Sequence, residues 1–102
     1  MDPKNRQHLR KQATYPVLFT LPDGSRRPGI CSNISLGGLR IDTPDPMPFG
    51  STLTVLIELD DQDGGTSLPG IVRWTTPGSM GIQLGLLSAR ATYALLRILE
   101  NG

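Results

Sequence analysis

The sequence predicts an all-β fold with one terminal helix: a small six-stranded antiparallel β-barrel, preceded by a flexible N-terminal arm and closed by a C-terminal α-helix. Three observations carry that reading. The 102-residue chain fits one domain with one core. Glycine and proline are plentiful, at 12 and 9 residues, which suits short strands joined by turns. Apolar residues alternate with period two along most of the chain, and the pattern turns helical only after residue 88.

Taken in order, residues 1–14 read as a flexible basic arm without apolar periodicity, and residues 15–102 as the barrel with its helix. Tyr15, Val17, Phe19 and Leu21 alternate as a strand, with Pro16 near its start or at a sheet edge. The stretch PDGS at 22–25 is a turn, because proline presets φ and glycine accepts positive φ. Residues 26–34 return as a second strand, and LRID at 39–42 follows SLGG as a third. TPDPMPFG at 43–50 holds three prolines and is an irregular connection. In STLTVLIELD, Leu53, Val55, Ile57 and Leu59 share one face. Residues 68–76 and 80–86 form a last hairpin around PGS. Over 88–100 the composition is helical, with Ser88 as N-cap and Asn101-Gly102 as stop. Ala91, Leu95 and Ile98 form its apolar stripe, flanked by Ala94 and Leu99.

Composition narrows the chemistry. Cys31 is the only cysteine and His8 the only histidine, so the sequence offers no intramolecular disulfide, zinc cluster or Ser-His-Asp triad. Cys31 reads as a small, half-buried strand residue. Asp60, Asp61 and Asp63 form an acidic loop with no base or nucleophile beside them, which reads as solvated rather than catalytic. No metal site and no cofactor are expected, and the chain is expected not to be an enzyme. No apolar export signal or transmembrane run is evident, so a cytoplasmic location without membrane insertion is expected.

The net charge is only +1, which does not suit a nucleic acid polymer. Its distribution is uneven. Lys4, Arg6, Arg10, Lys11, Arg26 and Arg27 are six of the ten basic residues and all fall within the first 27 positions. A basic arm on a near-neutral body suits a compact anionic partner. The five aromatic residues, Tyr15, Phe19, Phe49, Trp74 and Tyr93, read as core positions, Trp74 also as a rim hydrophobe. An RNA-binding barrel would instead carry exposed aromatics on its sheet.

Two stretches bear recognisable chemistry. Arg6 and Arg10 stand four apart, so a helix or a strand would point both guanidinium groups one way. Guanidinium pairs bidentately with phosphate or with the O6/N7 edge of guanine, and stacks on flat rings. Asn33 and Ser35 are two apart on the second strand and share a face. Gly37 and Gly38 follow, permitting unusual dihedrals and a close ligand approach. Each stretch alone also reads as a solvated arm or an ordinary turn. Arg40 and Arg73 read as solvent-facing strand arginines, with a place facing a ligand as the alternative, since Arg40 closely follows the glycines.

R-x-x-x-R ahead of the first strand, followed by N-x-S-x-x-G at the end of the second, resembles the PilZ domain family. There (D/N)-x-S-x-x-G is the second motif. YPVLF, GGLRI, GIVRW and GIQL continue the likeness, which covers roughly residues 6–100. The resemblance implies a PilZ-like barrel that binds the bacterial second messenger cyclic di-GMP and relays it to an unidentified downstream protein. It implies that Arg6 and Arg10 clamp phosphate and guanine, that Asn33 and Ser35 hydrogen-bond a guanine, and that Gly37 and Gly38 border the ligand, with Gly38 leaving it room. Asn5 stands where many members carry another arginine, which leaves one or two ligands per site open. The alternative is a protein-interaction module of the same fold that binds no nucleotide.

Overall fold

The computed structural model describes residues 10–57 and 65–100, with side chains from residue 14 onward. Six strands and one helix run in the order β1 (Arg10–Thr20), β2 (Arg26–Ser35), β3 (Gly38–Asp42), β4 (Thr52–Ile57), β5 (Thr66–Thr76), β6 (Ser79–Leu84) and α1 (Ala89–Glu100). The strands close into an antiparallel barrel of order β1-β2-β3-β6-β5-β4. β1 begins at Arg10. Residues 10–14, part of the arm in the sequence reading, therefore already run in the ladder with β2. No apolar periodicity marks those five residues, because their pairing is main-chain hydrogen bonding that needs no particular side chain. Arg6, Leu59, the acidic loop and the Asn101-Gly102 stop lie outside the described residues.

Alternation builds the core. Val17, Phe19 and Leu21 from β1 and its end meet Leu53, Val55 and Ile57 from β4, with Ile34, Ile41, Leu68, Val72, Met80 and Ile82 completing the interior. Each fully buried apolar side chain of this size contributes about 1.5–3 kcal/mol relative to exposure. Cys31 is fully buried among them, not half-buried. Of the aromatics only Phe19 is buried. Phe49 at 67% and Tyr93 at 60% exposure lie on the surface, against the core placement expected from sequence, while Trp74 at 43% fits the rim reading rather than the core one.

Turns and ends follow local chemistry. In the PDGS turn, Gly24 takes φ +89°, while the Ser25 amide and hydroxyl donate to Asp23 Oδ1 at 2.9 and 2.7 Å. Those donors hold the Asp23 carboxyl below its ordinary range. The proline-rich connection between β3 and β4 crosses to a non-neighbouring strand. It is pinned where the buried Thr43 hydroxyl donates to the Pro28 carbonyl at 3.1 Å. Ser88 caps α1 by accepting the Ala91 amide at 3.0 Å. Ala91, Leu95 and Ile98 face inward and join the barrel core, and α1 packs on β1, β2 and β5. No described helix is long and apolar enough to cross a membrane.

Candidate functional site

Two β-bulges shape one outer face of the barrel. In β2, Cys31 pairs with Ile41 and Asn33 with Arg40, which leaves Ser32 as an extra residue. Without that insertion the odd-numbered residues of β2 would continue the inward set of Cys31. With it, Ile34 turns inward, while Asn33 and Ser35 are half-buried on the outer face. The Ser32 hydroxyl is buried without a hydrogen-bond partner among the described residues, a cost of about 1–3 kcal/mol. In β5, Val72 pairs with Ile82 and Trp74 with Gly81, so Arg73 is the extra residue. Arg73 and Trp74 are consequently exposed in succession instead of alternating.

Between the bulges the register lays out one transverse row across four strands, Asn33–Arg40–Gly81–Trp74. Gly81 is required by its neighbour: a Cβ there would collide with the Trp74 indole, which lies against the bare backbone. Arg40 sits over the same indole, 5.9 Å from the ring centre, and its Nε donates to Asp42 Oδ1 at 3.2 Å. A polar depression of about 460 Å³ opens on this face. It gathers Asn33, Ser35, Gly37 and Gly38 with Arg40, Arg73, Trp74 and Gln83.

Ser35 and Gly38 are locked together. The Ser35 hydroxyl accepts the Gly38 amide at 3.2 Å and donates to the Gly38 carbonyl at 3.3 Å. One acceptor lone pair of that oxygen stays unused by the pair. Gly38 has no room for a side chain, since a Cβ would lie 2.5 Å from the Ile82 carbonyl oxygen. Neither Gly37 nor Gly38 has positive φ, so unusual dihedrals are not the reason for these glycines. Close strand approach explains Gly38, while Gly37 borders open space. The Asn33 side-chain amide makes no hydrogen bond among the described residues. Its main-chain carbonyl accepts the Cys31 thiol at 3.4 Å. Burial pushes that thiol up to about 11, with the Asp42 carboxylate adding to the rise and the hydrogen bond opposing it.

Four of the six residues singled out from sequence therefore line one depression. Arg10 occupies the register position directly opposite Ser35 on β1, and Gln12 the one opposite Asn33. Arg6 lies outside the described residues. Arg40 and Arg73 are exposed, as the solvent-facing reading expects, and both also line the depression. The bulge at Arg73 has no unique residue pattern that would have given it away. Among the described residues no group of histidine, cysteine, aspartate or glutamate is arranged to hold a metal ion.

A closed six-stranded antiparallel barrel, capped by one helix and carrying a glycine-edged polar hollow, defines a small β-barrel class of protein. The PilZ domain profile matches residues 4–101, and the chain belongs to the PilZ domain family of cyclic di-GMP receptors. The chain is also 36% identical over 83 residues to a cellulose synthase catalytic subunit (UDP-forming) from Xanthomonas axonopodis pv. citri. That stretch is 81% of this chain and 11% of the synthase subunit, so the chain spans only about a tenth of that relative. Among solved structures, the PilZ domain of YcgR from Escherichia coli with c-di-GMP superposes with TM-score 0.75 at 17% identity, covering 94% of this chain and 89% of that one. The PilZ domain of CeSA from a cellulose-synthesising bacterium gives 0.72 at 20%, covering 90% and 95%. The Bacillus subtilis inhibitor of motility MotI/DgrA gives 0.69 at 24%, covering 94% of this chain and 50% of that one. At these identities the structural likeness establishes the shared fold.

Proposed function

We propose that this chain is a non-enzymatic receptor that binds cyclic di-GMP and relays its presence to a partner protein. The observation that carries this reading is the β1–β2 register, which sets Arg10 opposite Ser35 at the hollow lined by Asn33, Ser35 and Gly38. Arg10 and Ser35, more than twenty residues apart in sequence, lie opposite each other on adjacent strands. Arg6 and Arg10 supply charge and forked donors to phosphate and guanine. The uncommitted Asn33 amide offers both a donor and an acceptor to a guanine edge, and Ser35 offers its remaining lone pair to a guanine N–H. Gly37 and Gly38 leave that border of the hollow free of side chains. Three or four charge-assisted hydrogen bonds at about 1.5–3 kcal/mol each support micromolar affinity, about −8 kcal/mol. The activity of the synthase relative is no part of this reading.

One observation favours the second reading, a PilZ-fold interaction module without nucleotide. The Ser35–Gly38 latch gives N-x-S-x-x-G a structural task that needs no ligand. Isothermal titration of the chain with cyclic di-GMP separates the two. Binding that falls at least tenfold in Arg10→Ala and Asn33→Ala supports the receptor. Absence of heat with the unaltered chain overturns the receptor reading and favours the interaction module.

A further inference from the structure

Resting on the receptor reading, we propose that Arg73, held in place by Gln83, is an additional ligand-binding arginine that takes the O6/N7 edge of a guanine. Arg73 is the bulged residue of β5, which puts it on the outer face beside Trp74, where strict alternation would allow only one of the two. Its Nε donates to Gln83 Oε1 at 2.5 Å. Gln83 stands on β6 in register with Gly38, on the floor of the hollow. That bond uses the Nε side of the guanidinium and leaves the Nη fork uncommitted by any bond to the described residues.

Charge distinguishes Arg73 from the other arginine of the hollow. Arg40 is bridged to Asp42 and stacked on Trp74, so its charge is already answered. The partner that holds Arg73 is a neutral amide, which orients the fork without cancelling it. Guanine presents two adjacent acceptors, O6 and N7, matched in spacing to such a fork, whereas adenine replaces O6 with a donor. The Ser35 hydroxyl is largely engaged by Gly38. That leaves the Asn33 amide and one Ser35 lone pair for one guanine edge, and cyclic di-GMP carries a second guanine with its own O6/N7 pair. Arg73 lines the same hollow and supplies a further pair of donors there.

Titration of the unaltered chain, R73A and Q83A with cyclic di-GMP and with its 7-deazaguanine analogue, which lacks N7, tests this. The unaltered chain is expected to bind the analogue more weakly than cyclic di-GMP. R73A is expected to weaken cyclic di-GMP about ten- to a hundredfold, the worth of a bidentate guanine contact, and to lose the preference over the analogue. Q83A keeps the charge and frees the fork, so it is expected to retain only part of that preference. Binding by R73A equal to that of the unaltered chain overturns the proposal. So does a weakened R73A that keeps the full preference, which would make Arg73 a phosphate contact. No binding by the unaltered chain overturns the receptor reading, and this proposal with it.

Discussion

Adjacent glycines at 37 and 38 respond to alanine with opposite signs. In Gly38→Ala the new methyl lies 2.5 Å from the Ile82 carbonyl oxygen, a backbone atom of the neighbouring strand that cannot rotate away. Strands β3 and β6 must part by roughly 0.5–1 Å to restore an ordinary contact. The opening stretches the Leu84 amide to Gly37 carbonyl bond, now 3.0 Å, and disturbs the Ser35–Gly38 latch. Strain of this kind costs about 1–3 kcal/mol, and each weakened hydrogen bond about 0.5–1.5 kcal/mol. Restricting the unfolded chain returns about 0.4–1 kcal/mol, for a net loss of roughly 2 kcal/mol. In Gly37→Ala the methyl meets nothing within 4 Å and φ is not positive, so only the unfolded-state gain remains. Urea unfolding followed by far-ultraviolet circular dichroism reads both. G38A is expected to lower the midpoint by on the order of 1 M, while G37A holds or raises it. A G38A variant as stable as the parent, or a G37A variant as damaged as G38A, would refute the reasoning.

Three further outcomes follow from the same structure. The Cys31 thiol ionises at 9.0 ordinarily and at about 11 in the fold, so between those values the unfolded chain holds fewer protons than the native one. Stability should therefore fall as pH rises through that window, at up to about 1.4 kcal/mol per pH unit, and the fall should be shallower in C31A when the two are compared by denaturant melts. Ser88→Ala removes the acceptor of the Ala91 amide and should cost about 1 kcal/mol, with equal loss of helical signal and stability on heating. Gly81→Ala drives a methyl into the Trp74 indole, which must swing outward. Emission from this sole tryptophan should shift to the red, and an unchanged spectrum would contradict the packing described.

The elements the sequence predicts and the structure contains are those with an energetic reason to show a pattern. Val17, Phe19, Val55 and Ile57 must be inside, so alternation reveals their strands. Ser88 must satisfy a free amide, so the helix start is visible as a capping residue. The sharing of one face by Asn33 and Ser35 also follows from their spacing. Its outward sense does not, because it depends on the Ser32 bulge, where a single inserted residue reverses a whole face with no change in composition. The Arg73 bulge hid a lining residue in the same way. Of the two readings of Trp74, core and rim, the rim one holds. Trp74 is large and apolar, yet it rests on bare glycine backbone outside the barrel, a position that hydrophobicity alone does not reveal.

Because the ladder returns on itself, each of the six strands has a neighbour on both sides. Along the stretches paired on both sides, such as Val17–Thr20 of β1, no row of amides and carbonyls is left for a foreign peptide or a second copy to extend. On those stretches the domain meets other molecules through side chains and the few patches where glycine bares the backbone.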